Sequence, residues 1–317
     1  LREVRRRADD GFIEGLVLDN GRVIEGDFYV DCTGAATRLL GSALGVAFED
    51  WSGALPCNSA LIASKKRDGA IAPFTHARAL SAGWLQTIPL QNRLEHAYFY
   101  ADRFISDSEA AREMAAVCGV REAPAPIRFR NGMRQESWRA NCAAIGVAAA
   151  VLEPLHGISE HVAHRGIARL ISLLPRRSCD GGERDEYNRL MRSGVERMPD
   201  FLIMHFLGAE RPEPFWRECV NLAPPEELQR KRDVFASRGR VTLCDEEAFL
   251  EQDWASLLLA MGLRPQRLDV RASAADPAAI RNGLQRMRER IAKAVEAMPL
   301  HQDYIAAAMP KDAGALP

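Results

Sequence analysis

The residues of this chain best placed to do chemistry lie between Trp138 and Ser159, in the run Trp-Arg-Ala-Asn-Cys-Ala-Ala-Ile-Gly-Val-Ala-Ala-Ala-Val-Leu-Glu-Pro-Leu-His-Gly-Ile-Ser. Small residues let a backbone approach a flat ligand closely, and a helix start adds unpaired N–H donors with a partial positive charge. Such a place suits an anionic group or a halide, although an alanine run also serves plain tight packing. His156 stands in the loop before the helix, where an imidazole can act as base or hydrogen-bond donor near neutral pH. A histidine satisfied by neighbouring backbone is the alternative. Together with His161, His164, Glu153 and Glu160 it raises a metal site, but the spacing completes no ligand set, so none is expected. There is no Gly-x-Ser-x-Gly elbow for a serine nucleophile, no Gly-x-Gly-x-x-Gly and no Walker loop.

The elements that must position these residues follow from pattern. Cys142 to Ile145 is short and apolar enough for a buried strand that Gly146 ends, and a helical period starts near Ile158. Upstream, Phe12 to Leu18 and Arg22 to Val30 read as strands joined by Asp19-Asn20-Gly21, the signal of a two-residue hairpin. The second run continues into Asp31-Cys32-Thr33-Gly34, a strand end that can bring backbone near a nucleotide or simply turn. Trp84 to Leu90 and Glu95 to Tyr100 form two more strands, with Pro89 unsuited to a central position. Ser106 or Asp107 with Ser108-Glu109 starts a helix through Cys118, and Ile127 to Phe129 returns as a strand.

Beyond Ser159 the chain turns helical. Ile158 to Leu174 places Val162, Ile167, Leu170, Ile171 and Leu174 near one face. Asp185 to Leu207 is helical with an interruption at Pro199, and Glu226 to Phe235, Trp254 to Met261 and Asp276 to Ala297 follow. The expectation is an α/β (α+β) chain in two parts: a strand-rich unit over residues 1–158 and a mostly helical unit over 159–317.

Composition narrows the classes. The 42 basic and 43 acidic side chains among 317 residues nearly cancel, so neither nucleic acid nor an anionic membrane is an expected partner. No apolar run reaches the length of a membrane span and the start is not signal-like, which makes the cytoplasm the default location. The seven cysteines are scattered without a Cys-x-x-Cys pair, in keeping with reduced thiols. The chain opens on Leu1, and its first residues read as the interior of a domain, so a fragment of a longer protein is expected.

Placed together, several blocks resemble the flavin-dependent tryptophan halogenase family. Asp31-Cys32-Thr33-Gly34 is similar to that family's Asp-Cys-Ser-Gly strand end, and Gly83-Trp84-Leu85-Gln86-Thr87-Ile88-Pro89 to its Gly-Trp-x-Trp-x-Ile-Pro signature. Trp51-x-x-x-Leu55-Pro56-Cys57, Trp138-x-x-Asn141-Cys142-x-x-Ile145-Gly146, Leu152-Glu153-Pro154-Leu155, Pro214-Phe215-Trp216 and Trp254 occur in family order across about residues 12 to 305. The resemblance implies an incomplete FAD-binding, Rossmann-like monooxygenase-type domain with a mixed sheet, followed by the helical part. It also implies FAD, delivered as FADH2 by a separate flavin reductase as transient partner, with O2 and chloride or bromide as co-substrate. The halogen would go to a small aromatic substrate of indole or tryptophan type; a homodimer is left open.

On the same resemblance Asp31, Thr33, Gly34, Gly146, Leu152, Glu153, Pro154 and Leu155 face the flavin, and Gly157 and Ile158 hold the halide through backbone. His156 and Trp84 stand on the route between halide and substrate, and Trp254 on the substrate side. The family's Gly-rich fingerprint and catalytic lysine lie upstream of Leu1. Its Glu-Ser-Thr after Glu-Pro-Leu is replaced by His156-Gly157-Ile158, and its second signature tryptophan by Gln86. These departures keep two alternatives in view: a flavin monooxygenase that inserts oxygen directly, and a catalytically inactive relative that binds a small molecule.

Overall fold

The computed structural model describes residues 1–120, 125–175, 179, 181–267, 270 and 274–308. In chain order the strands are β1 (Glu3–Arg6), β2 (Ile13–Val17), β3 (Val23–Glu25), β4 (Tyr29–Asp31), β5 (Phe48–Asp50), β6 (Ser59–Lys66), β7 (His76–Leu80), β8 (Gly83–Pro89), β9 (Arg93–Tyr100), β10 (Ile127–Arg128), β11 (Gly132–Arg134), β12 (Trp138–Arg139), β13 (Cys142–Ala144) and β14 (Ala150–Val151). The helices are α1 (Asp107–Cys118), α2 (Ile158–Leu173), α3 (Gly181–Val195), α4 (Met198–Leu207), α5 (Pro214–Val220), α6 (Glu226–Arg238), α7 (Glu251–Ala260), α8 (Pro277–Ala297) and α9 (His301–Ala308). This is the mixed α/β fold expected, strands first and helices after.

Two sheets bear on the site. The larger runs β10-β6-β9-β8-β7 and is antiparallel throughout; one face, with Leu61, Leu85, Tyr98 and Tyr100, packs on α1, and the other, with Ala60, Trp84 and Phe99, on the protein core. The smaller, β12-β13-β4, contains a parallel pair in which Ala144 lies opposite Asp31. Parallel strands need a long crossover, and here residues 32–141, including the whole larger sheet, lie between the two. Their carboxyl ends stop side by side, each followed by a glycine in the left-handed region: Gly34 at φ 66° and Gly146 at φ 63°. A side chain at those angles costs about 1–2 kcal/mol, and glycine avoids that cost.

Local sequence explains most ends. Ser106 caps α1 by accepting from the Glu109 N–H while the Glu109 carboxylate accepts from the Ser106 N–H. Pro199 sits in the first turn of α4, separating it from α3, as a ring without an N–H does best. The hairpin between β2 and β3 is one residue longer than its turn signal suggests: the Leu18 N–H donates to Arg22, leaving Asp19, Asn20 and a left-handed Gly21 in the loop.

α2 departs from its predicted face. Ile158, Val162, Gly166 and Leu170 are buried, whereas Ile167 and Ile171 are exposed. Gly166 lies within the buried stripe, where a Cβ would meet the Tyr187 hydroxyl at 3.4 Å and Ile145 at 3.6 Å, ordinary contact distances. The apolar stripe therefore runs at strict i, i+4 spacing. One core cluster joins this stripe to Ile13, Trp84 and Trp138 on the sheet side and to Phe201, Phe215 and Trp254 on the helical side.

Gly83 opens β8 with no room for a side chain, since a Cβ would fall 2.0 Å from the Phe99 carbonyl oxygen of β9. Gly83→Ala is expected to force the two strands apart and to lose about 3 kcal/mol or more, measurable by denaturant unfolding. A loss below about 1 kcal/mol would show that the pair yields easily.

Candidate functional site

The site is a loop between two anchors. Leu152 and Glu153 leave β14 and turn inward; Pro154 and Leu155 are half-buried; His156 and Gly157 are exposed; Ile158 returns to the core as the first residue of α2. The inward anchor is Glu153. Its Oε2 accepts a 2.7 Å hydrogen bond from the Trp84 indole Nε1, and the Trp84 ring stacks on Phe99 across the sheet at 4.6 Å between centroids. Trp84 and Glu153 are 4% and 1% exposed, so this bond is shielded from water.

Burial pushes the Glu153 carboxyl up to about 7, against the lowering effect of Trp84, Cys57 and Asn131 beside it. Two buried acceptor oxygens in this region are left unpaired. Glu153 Oε1 and Asn131 Oδ1 are both buried without a hydrogen-bond partner. The Asn131 amide group already donates to the carbonyls of Leu55 and Cys57.

At the exposed end, His156 adopts φ 59° and Gly157 φ 68°, two successive left-handed residues. For glycine this is free; for histidine it stores roughly 1–3 kcal/mol, strain that collects at functional loops. The His156 ring is held by neighbours from the helical half. It packs edge-on against Phe201 of α4 at 5.3 Å and Phe249 at 6.4 Å, which stack on one another at 3.7 Å. Its Nε2 lies 3.0 Å from Nε2 of His205, also on α4. Burial holds the imidazole below its usual range, with Asp253 opposing.

The expected cofactor contacts divide. Asp31 is fully buried and its carboxylate is already saturated, accepting from the N–H groups of Thr33, Leu39 and Leu40 and from the Thr33 hydroxyl. It shapes the turn rather than meeting a ligand. Thr33 is exposed, and Gly34 has no heavy atom within 4 Å of where its Cβ would be, leaving an open backbone surface. Gly146 closes the neighbouring turn against Ala163 of α2. A crevice outside the carboxyl ends of parallel strands is where open α/β sheets take nucleotide ligands. The residues present fit a flavin on that ground, with Thr33, Gly34, Pro154 and Leu155 at the surface and Asp31, Leu152 and Glu153 behind it.

Of the two expected halide donors, the Ile158 N–H donates to the Leu155 carbonyl; Gly157 remains exposed. Trp84 reaches the site through Glu153 rather than by lining an open route. Trp254 is wholly buried, edge-on to Phe201 at 4.9 Å with the Lys231 ammonium 4.0 Å above its ring. It supports the aromatic bed under His156 and is not brought into contact with the loop. Phe201, His205 and Phe249 went unremarked in the sequence; a lone histidine in the apolar run Met198–Leu207 was the one available signal. Among the described residues no group of three His, Cys, Asp or Glu could hold a metal ion.

The tryptophan halogenase family model matches residues 1–277. The chain belongs to the tryptophan halogenase family. It is 32% identical over 316 residues to the tryptophan 6-halogenase SttH of Streptomyces toxytricini, covering 94% of this chain and 59% of that protein. Among solved structures it superposes on BrvH, a flavin-dependent halogenase from Brevundimonas sp. BAL3, with a TM-score of 0.91 at 36% identity, covering 98% of this chain and 64% of that one. Xcc4156, a flavin-dependent halogenase from Xanthomonas campestris, gives 0.91 at 33% identity with 98% and 63% covered. The chain thus spans about three-fifths of the length of the halogenases it matches. No helix among the described residues is long and apolar enough to cross a membrane.

Glu153 has a folded value near 7 against 4.5 for the free side chain, so the native state holds the proton more tightly. Its stabilising contribution is complete below pH 4.5 and is lost as pH rises through 7, about 3 kcal/mol in all. Glu153→Gln keeps an acceptor for Trp84 and is expected to flatten the fall. A slope of the same sign should remain from Asp200, which burial raises to about 6. Urea unfolding at pH 5 and pH 8 reads the difference; equal slopes in the two proteins would refute the neutral Glu153.

Proposed function

We propose that this chain serves an FAD-dependent halogenase, which uses FADH2 from a separate reductase, O2 and chloride or bromide to halogenate an indole- or tryptophan-like ring. The observation that supports it best is the loop: in a member of this family, an inward glutamate bonded to Trp84 presents His156 and Gly157 beside the paired strand ends. Reduced FAD, when bound, would activate O2, and the oxidising power that makes a halide electrophilic comes from that oxygen. Thr33, Gly34, Pro154 and Leu155 would hold it, and the backbone at Gly157 would meet the halide.

His156 then has a defined task. Halogenation of an aromatic ring forms the carbon–halogen bond first and must lose the proton from the same carbon to restore aromaticity. A neutral imidazole at the loop tip accepts that proton, and desolvation of the ring where it packs against Phe201 lowers the His156 value and so favours the neutral form. It takes the position that a glutamate holds in the family pattern, so a base is retained with a different conjugate charge: imidazolium instead of carboxylic acid.

The test uses the intact protein with a flavin reductase, FAD, O2 and either halide, with product followed by mass spectrometry. Halide-dependent product from indole or tryptophan is expected. His156→Ala should lower kcat by about a hundredfold or more while leaving FAD affinity unchanged, and His156→Glu should keep a measurable share of activity. No halogenated product with chloride or bromide, despite bound FAD, would overturn the reading. Gln86, half-buried two residues from Trp84 on the same face of β8, favours direct oxygen insertion as the second reading; oxygenated product formed without halide would establish it.

A further inference from the structure

A catalytic imidazole is useful only if the correct nitrogen is bare, and the structure supplies a group that decides this. His205 Nδ1 lies 2.8 Å from the Phe201 carbonyl oxygen, one turn earlier on α4. A carbonyl can only accept, so that nitrogen carries the hydrogen. Burial pushes His205 down to about 4, so near neutral pH it holds no second proton and its Nε2 is a lone pair. The His156 Nε2 at 3.0 Å must therefore be the donor. A neutral imidazole has one N–H, which leaves His156 Nδ1 as the bare nitrogen. Among the described residues none donates to it.

We infer that His205 is a positioning residue, which holds His156 as its Nε2–H tautomer and aims the unprotonated Nδ1 at the substrate. The assignment rests on the reading of His156 as proton acceptor, and it adds the device that makes His156 competent. The chain of order is Phe201 carbonyl, His205, His156: each hydrogen bond fixes the next ring. The groups facing the pair are Phe201 and His205 of α4, Phe249, and Asp253 of α7, the one charged residue among them. The left-handed backbone of His156 fits this account, because the ring is held in place from the helical half against the local cost of its φ. A helix residue 49 positions away thus acts on the loop that carries the chemistry.

The experiment separates this inference from the halogenation itself. Nitrogen-15 NMR of the imidazoles in the 317-residue chain at pH 7 should show His205 protonated on Nδ1 and His156 on Nε2. His205→Gln retains a carbonyl acceptor and should keep the His156 tautomer; His205→Phe removes it and should release His156 into a mixture. In the intact protein His205→Phe should lower kcat about ten- to a hundredfold with KM nearly unchanged, and His205→Gln should restore most of it. His156 protonated on Nδ1 in the unmodified chain, or a tautomer indifferent to His205→Phe, would overturn the inference even if halogenation proceeds. The expected tautomers with no halogenated product would leave His205 as assigned and remove the proposed function instead.

Discussion

The hydrogen bond from Trp84 to Glu153 is the constraint on which the site depends. It joins the middle of the five-stranded sheet to the segment just before α2, across 69 residues of sequence, with both partners out of water. A buried carboxylate accepting one hydrogen bond would be a poor anchor, because desolvation of the charge would outweigh the contact. Protonation removes that conflict. The neutral acid still accepts from the indole with one oxygen and carries no buried charge. Everything after Glu153 then has a fixed starting point, and the two left-handed residues His156 and Gly157 turn the chain sharply into α2.

From that anchor the two halves of the molecule divide the labour. The strand-rich half supplies backbone: paired strand ends at Asp31 and Ala144, glycine turns at Gly34 and Gly146, and a carboxylate at Asp31 occupied with holding its own turn. The helical half supplies side chains, with Phe201 and Phe249 as an aromatic bed, Trp254 and Lys231 behind it, and His205 bonded to His156. In the loop the two contributions meet at His156, whose backbone continues from the Glu153 anchor and whose ring rests on the helical half.

Much of this was legible in the chain itself. The helix cap at Ser106, the break at Pro199, the strand Cys142–Ala144 and the glycine ending it follow from short-range rules, and the ordered blocks from Asp31 to Trp254 carried the family. What escaped was set by distant packing. The face of α2 is set by packing against Ile145 and Tyr187 from other segments, so the exposed Ile167 and Ile171 could not be told from core residues by period alone. Trp254 and Trp84 looked like ligand-facing aromatics, yet one lies beneath Phe201 and the other works through Glu153. His205 carried only the weak signal of a lone histidine in an apolar run, since its partner is brought beside it by the fold. The raised Glu153 value is likewise a property of its burial, opposed by Trp84, Cys57 and Asn131, which come from three separate segments.

The most direct measurement is a carbon-13 NMR titration of the Glu153 carboxyl in the chain labelled at glutamate, repeated in Trp84→Phe. The account predicts a carboxyl that stays protonated in mildly acidic solution with a midpoint near 7, moving higher when the indole donor is removed. A carboxyl already ionised at pH 5, or a midpoint indifferent to Trp84→Phe, would contradict it.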